Sequence, residues 1–511
     1  MEKLLLGTFY TMDRDNPCVE AVGIEHGKIV FAGSRKDAER LSAKETIDYG
    51  TKAILPGFID THVHVIPSGI FMNGVDLSSA TDIAGILDVL RDRASTTPHG
   101  EWIFGTAFQD KNIAEKRFPT RDELDQVSTN HPIWICHNDI HPFSFNSCAL
   151  ELLHPDPAQD GICVDASGRL TGIVTDPACM SFLDNILATL SDDVLLDGCK
   201  RIDQYAISHG VTTVFGKDSL RVLQLREAHK DSFSVEFVPM WMSNGTRDYL
   251  GLKMLSEDES LSSKACVCVF ADGSFDCYSA SVIEPYENQP QEFGMLLSTR
   301  KELHDFVMSA HKLGMQVSCH AIGDHGIEQV LDVYEQVLTE LPKEDHRFRI
   351  EHFEMPTKAS IKKAAALHIA LGMQPLLIEI CEGMDFSGYK CFIGERAKLC
   401  SPYRSILDAG LLVGGGTDYP VTPMEILHGA QVCMQNPNPD ERITLMECLE
   451  MNTINAAKLG FLEDCKGSIS VGKDADLVIL SDNPFTVPLE ALSQITVKET
   501  ICAGNTVYTA E

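Results

Sequence analysis

The chain has 511 residues, 44% of them hydrophobic, which is enough for a sizeable core and for two cooperating units. Its formal charge of −32 is dispersed, which argues against nucleic acid or an anionic membrane surface as partner. The apolar patch Leu4-Leu5-Leu6 is too short for a secretion signal and no apolar run reaches a membrane span, so a soluble cytoplasmic protein is expected, its 17 scattered cysteines reduced and packed as small hydrophobes.

The first ~55 residues read as short strands with tight turns, including a hairpin around His26-Gly27-Lys28. Leu55-Pro56-Gly57 then delivers the chain into Phe58-Ile59-Asp60-Thr61-His62-Val63-His64. Residues two apart in a strand point to one side, so His62 and His64 aim two imidazoles at one point, half of a tetrahedral metal site. Residues from about 75 to 200 form an insertion after this strand, expected at the mouth of the site. Its aromatics, Trp102, Phe104, Phe108, Trp134, Phe143 and Phe145, are expected chiefly as its own core.

Beyond the insertion, apolar strands alternate with amphipathic helices. Together with 58–62, candidate strands fall at 211–215, 235–240, 266–271, 316–320, 348–352, 369–373 and 411–417. Between them, Leu303, Phe306, Val307 and Ala310, and Ile327, Val330, Leu331 and Tyr334, follow helical spacing. Eight strand–helix units predict an α/β fold, a (β/α)₈ TIM barrel over 56–463. The last ~45 residues return to strands, with Asp476–Leu480 and a hairpin near Gly504. Neither end alone has strands enough to bury a core. Residues 1–55 and 464–511 are therefore expected to form one composite β-sandwich.

Catalytic groups of such barrels sit at the C-terminal ends of the strands. The first strand ends in His62 and His64, the fifth in His320, the sixth in His352 and the eighth in Asp418. Any one alone has an ordinary reading: a hydrogen-bonded structural histidine, or for Asp418 a helix cap. Together they predict a metal site. His137, His141 and His325 are weaker candidates, with His141 placed to reach substrate. His99, His131, His154, His209 and His229 read as surface or structural.

Residues 55–64 and 466–478 resemble the entry strand and closing β-domain signature of the amidohydrolase superfamily. Phe270-Ala271-Asp272-Gly273-Ser274, His320-Ala321-Ile322-Gly323-Asp324 and Ile350-Glu351-His352 resemble its family 3 branch, which includes the N-substituted formamide deformylases. The resemblance implies a zinc centre of one or two ions. His62 and His64 match ligands of the first metal, His320 and His352 those of the second. Asp418 matches the ligand that also takes the proton of the attacking water. His352 or His141 would steady the oxyanion. Many members carry a metal-bridging carbamylated lysine where this chain has Cys268. Either Cys268 ligates as a bridging thiolate, or the bridge is lost and Cys268 is a packed thiol. Lys264 lies too far down the strand to substitute, and Lys217, near the end of the second strand, is a more distant alternative. The implied reaction is hydrolysis of a non-peptide amide-type C–N bond in a small molecule. Deamination, ester cleavage or an inactive binding protein on the same fold are the competing readings, and a homodimer is compatible with all of them.

Overall fold

A computed structural model describes residues 1–137, 142–175 and 178–510. The chain forms two compact units, Met1–His64 with Ile202–Glu511, and Val65–Arg201. No helix among the described residues is long and apolar enough to cross a membrane.

The first unit contains an eight-stranded parallel sheet: β1 (Phe58–Val63), β2 (Val211–Asp218), β3 (Glu236–Met242), β4 (Cys266–Phe270), β5 (Gln316–Ala321), β6 (Arg349–His352), β7 (Ala370–Met373) and β8 (Leu412–Gly415). Neighbours in sequence are neighbours in the sheet. The sheet curls until its last strand meets its first. A parallel bridge joins Val63 to Tyr419, and Asp418 N donates to His62 O at 2.8 Å. This is the expected barrel.

Most strand ends move by a residue or two from the sequence reading. The exception is β2, which continues through Lys217 to Asp218. Its whole length is buried and pairs with strands on both sides, β1 and β3. That pairing carries it past Gly216 and Lys217, which are poor strand formers. Parallel strands covered on both faces read as apolar runs. Asp60, Lys217, Arg349 and Glu351 break that rule inside β1, β2 and β6, and all four are buried.

The helices follow the expected apolar spacing. Arg300–Lys312 starts at a capping box of Thr299 and Glu302 and buries Leu303, Phe306, Val307 and Ala310. Asp324–Glu340 buries Ile327, Val330, Leu331 and Tyr334.

The two ends of the chain share one seven-stranded sheet. Leu477–Leu480 pairs antiparallel with Glu45–Pro56, which pairs parallel with Lys3–Tyr10. Leu5, Phe9, Val22, Ile54, Leu477 and Ile479 form its core. Beside that core lies a buried ion pair, Lys466 Nζ to Asp476 Oδ2 at 2.5 Å, and Asp476 Oδ1 accepts from Ala503 N at 2.8 Å. Breaking such a pair on one side strands a buried charge. Lys466→Ala is expected to destabilise the protein by about 3 kcal/mol, read as a lowered midpoint in urea unfolding.

The second unit has its own six-stranded sheet, including Ile103–Phe108, Ile133–His137 and Phe143–Phe145. Trp134, Phe143 and Phe145 are fully buried, with the Trp134 ring 5.2 Å from Phe143 and 6.5 Å from Phe145. These aromatics are core, as expected.

Candidate metal centre

The site is assembled where β1, β6 and β8 end. Asp60 and His62 share a face of β1 by the strand's period of two. Asp60 is fully buried and accepts from His62 N at 3.1 Å, Thr417 N at 2.9 Å and Thr417 Oγ1 at 2.5 Å. Burial raises the Asp60 carboxyl to about 6, against these hydrogen bonds. The carboxyl ties the end of β8 to β1 and so sets Asp418 opposite His62. The approach needs a glycine before Thr417: a Cβ on Gly416 would lie 2.7 Å from His62 Cβ.

His62 is oriented from behind. Its Nδ1 lies 2.8 Å from Glu351 Oε2. Glu351 also accepts from Ser318 Oγ at 2.6 Å and pairs with Arg349 Nη2 at 2.8 Å. Burial alone would raise the Glu351 carboxyl, but Arg349 and His62 hold it far below the usual range. An ionised Glu351 accepts from Nδ1–H, which leaves Nε2 as a bare lone pair. Gln374 Nε2 also approaches Nδ1, but at 3.3 Å, so the shorter contact with the carboxylate sets the tautomer. Gly372 makes room for this group, since a Cβ there would lie 2.4 Å from Glu351 Oε2.

Asp418 Oδ1 lies 3.0 Å from His62 Nε2 and 3.1 Å from His64 Nε2. Burial opposes its ionisation, but the two histidines overcome this and hold it well below the usual carboxylate range. One ligand atom each from His62, His352 and Asp418 falls within 4.8 Å of the others. Neither His62 Nε2 nor Asp418 Oδ1 makes an oriented hydrogen bond, and His352 Nδ1 has none. Imidazole and carboxylate donors converging in a buried space need a cation among them, which is the His62 proton in the metal-free protein and can be a metal ion in its place. The donor set therefore fits a divalent metal ion.

Two of these residues sit in backbone conformations that non-glycine residues rarely adopt. His352 has φ +69° and Asp418 has φ +57°. Such strain, of order 1–3 kcal/mol each, persists where surrounding structure fixes it and clusters at functional sites.

His320 stands beside this group, its ring 4.5 Å from that of His352. Its Nε2 donates to Gly273 O at 3.2 Å and lies 3.8 Å from Asp272 Oδ1. Asp272 in turn accepts from the backbone of Ser281, Ile322 and Gly323, which fixes the loops around His320. Cys268 lies outside the converging group. It is buried in an apolar cluster with Phe215, Met240 and Cys266. His325 is held by Ser281 Oγ at 3.0 Å from Nδ1. His141 falls outside the described residues. The sequence reading gave no role to Asp60, Arg349 or Glu351. The signal for them was a charge on the barrel-facing side of an otherwise apolar strand.

Burial lowers His352 to about 3, against the attraction of Asp418. The unfolded chain takes up this proton near the ordinary imidazole value of about 6.5, while the native metal-free protein refuses it until about 3. The unfolded state thus binds more protons between those values, and stability falls as pH drops. His64, also lowered by burial, adds to the trend. His62 opposes it: burial would lower it too, but Asp418 and Glu351 keep it raised. Asp60 and Glu382, raised by burial to about 6 and about 7, take up protons first in the native state and pull the other way. The His352 contribution is therefore read as a difference. From pH 7 to 5 the urea midpoint of the metal-free wild type is expected to fall relative to that of His352→Gln, and an unchanged difference would mean that His352 is not held neutral.

Residues 45–508 match the amidohydrolase family model. Protein LONG AFTER FAR-RED 3 of Arabidopsis thaliana is 30% identical over 94% of this chain and 87% of its own length. The N-substituted formamide deformylase of Arthrobacter pascens is 28% identical over 97% of this chain and 96% of its own. An uncharacterized metal-dependent hydrolase from Pyrococcus horikoshii OT3 superposes with a TM-score of 0.78 at 25% identity, covering 96% of this chain and 99% of that one.

Proposed function

This chain belongs to the amidohydrolase family, and from that membership we propose that it hydrolyses an amide-type C–N bond in a small molecule with the help of zinc. The observation that carries the reading is Nε2 of His62 facing Asp418 Oδ1 at 3.0 Å, with a ligand atom of His352 within 4.8 Å of both. A mixed nitrogen and oxygen donor set suits zinc. His62, His64 and Asp418 would hold one ion, and His320 with His352 a second. The position of Cys268 in the apolar cluster supports the packed-thiol reading of that residue.

A divalent ion held by these residues would supply an acidified water and a Lewis acid for a carbonyl oxygen. Asp418, ionised and touching both strand-one histidines, accepts the proton of the attacking water. It then returns that proton to the departing nitrogen. Glu351, through Nδ1 of His62, keeps that ring in the tautomer the site needs. If a single ion is held, His352 is left to donate to the developing oxyanion, a task also proposed for His141.

The resemblance to a deformylase favours N-substituted formamides as the substrate class. The test is amine release from a panel of N-alkyl and N-aryl formamides, longer amides, matching esters and aminopyrimidines, with and without zinc. Zinc-dependent release from the formamides or amides, exceeding turnover of the esters, is expected. Turnover of esters or ring amines alone would replace this reading by esterase or deaminase chemistry. No turnover of any class by zinc-loaded protein would favour a binding role.

A further inference from the structure

Gln374 follows the last residue of β7, which lies between β6, ending in His352, and β8, leading to Asp418. Arg349 and Glu351 of β6 reach across the barrel, Arg349 to Thr61 O at 3.2 Å and Glu351 to His62. A Cβ on Gly372 would run into both of these side chains, so Gly372 faces the inside of the barrel. By the strand's period of two, Gln374 faces the same way, at the end where such barrels place their chemistry. It is 3% exposed.

The Gln374 amide is oriented by its own strand. Nε2 donates to Gly372 O at 3.1 Å. The flipped amide would set two oxygens against each other at that distance, which fixes the assignment. Nε2 also lies 3.3 Å from His62 Nδ1, so the amide touches the ring whose other nitrogen faces Asp418. Oε1 is buried and, among the described residues, accepts no hydrogen bond. A buried carbonyl oxygen without a donor is costly, and an apolar side chain of the same length would fill the place without that cost. An amide oxygen can only accept, so the group that meets it must bring a hydrogen. Among the bonds considered for this centre, an amide that keeps an N–H brings one. An N,N-disubstituted amide and an ester bring none.

We propose that Gln374 selects the substrate: its Oε1 accepts the N–H of an N-monosubstituted amide, and the site prefers such amides to N,N-disubstituted amides and to esters. The inference rests on the C–N hydrolysis proposed above and narrows it. The preference has two sources. An N–H satisfies the buried acceptor, whereas an N-alkyl group or an ester oxygen leaves it unpaired. A site built to bond a donor rejects the analogue that lacks one far more strongly than it rejects a change of size. The same bond also orients the nitrogen. With the N–H held from β7, the lone pair that develops on nitrogen as the carbonyl is attacked turns toward β8. There Asp418 returns the proton, the C–N bond breaks, and the amine departs.

The experiment compares zinc-loaded, full-length wild type and Gln374→Met on three matched substrates: the best N-monosubstituted amide of the amine-release panel, its N-methyl derivative, and the corresponding ester. Release of amine or alcohol gives kcat/KM for each, and elemental analysis gives zinc per chain. Methionine keeps the length and removes both amide atoms. Wild type is expected to favour the N-monosubstituted amide over its N-methyl derivative by about 10–100-fold. In Gln374→Met, kcat/KM for the N-monosubstituted amide should fall by a similar factor and the preference should shrink to near parity, with zinc kept. A purely structural role would lower all three substrates together and leave their ratios in place. Equal turnover of the two amides by wild type would overturn this inference and leave the proposed hydrolysis standing. So would a Gln374→Met variant that keeps the full preference, or one whose turnover of all three falls together with its zinc, which would make Gln374 a support of His62 alone. Zinc-loaded wild type that turns over no amide would overturn the C–N hydrolysis, and this inference with it.

Discussion

Asp418→Asn is expected to keep its zinc and lose turnover by about 10²–10⁴-fold, the range spanned by removal of a general acid–base group. The substitution preserves shape and one ligating oxygen, so the contacts to His62 and His64 can persist. It removes the charge that makes Asp418 a proton acceptor. The split is read by elemental analysis of zinc together with kcat on the substrate found in the amine-release panel. The loss should fall on kcat and kcat/KM alike, because the interaction develops only in the transition state. A variant that keeps both zinc and turnover would contradict the role given to Asp418. One that loses zinc as well would make it a ligand first, with no separate evidence for its proton transfer.

The second large effect is expected at Glu351, which no substrate need touch. Glu351 and Arg349 are both fully buried. Glu351→Gln leaves the guanidinium without its counter-charge, a loss of about 3–5 kcal/mol for a buried pair broken on one side. It also weakens the acceptor that fixes the His62 tautomer, which should cost about 10–100-fold in zinc affinity. The two effects can be separated. Arg349→Met with Glu351→Gln removes both charges, so urea unfolding should show much of the stability restored. Zinc affinity should remain low, because the Nδ1 partner is still uncharged. If the double variant regains full affinity, Glu351 acts through stability alone and not through His62.

Much of the barrel was legible because its physics is local. The strands are apolar runs of the right length, and the helices between them carry an unbroken 3.6-residue stripe, as in Ile327, Val330, Leu331 and Tyr334. The site was legible in outline, since strand ends are where a barrel places its chemistry, and His62, His352 and Asp418 do converge. What sequence spacing did not give was the network that aims them. The hold of Asp60 on Thr417 spans the closure between β8 and β1, residues far apart in the chain. The left-handed backbone at His352 and Asp418 leaves no mark in residue type. Glu351 sits next to His352 in sequence but acts on His62. Cys268 is absent from the converging group and clusters with Phe215 and Met240, while the charges of Lys217, Glu351 and Arg349 also act on its thiol.

The most direct measurement is zinc bound per chain by elemental analysis after reloading, in wild type and in His62→Ala. His62 joins Glu351 behind it to Asp418 in front, so every part of the proposed centre passes through it. Wild type should hold at least one tightly bound zinc and His62→Ala should lose it, with circular dichroism showing both proteins folded. Wild type that takes up no zinc, or His62→Ala that keeps the full content, would contradict the account.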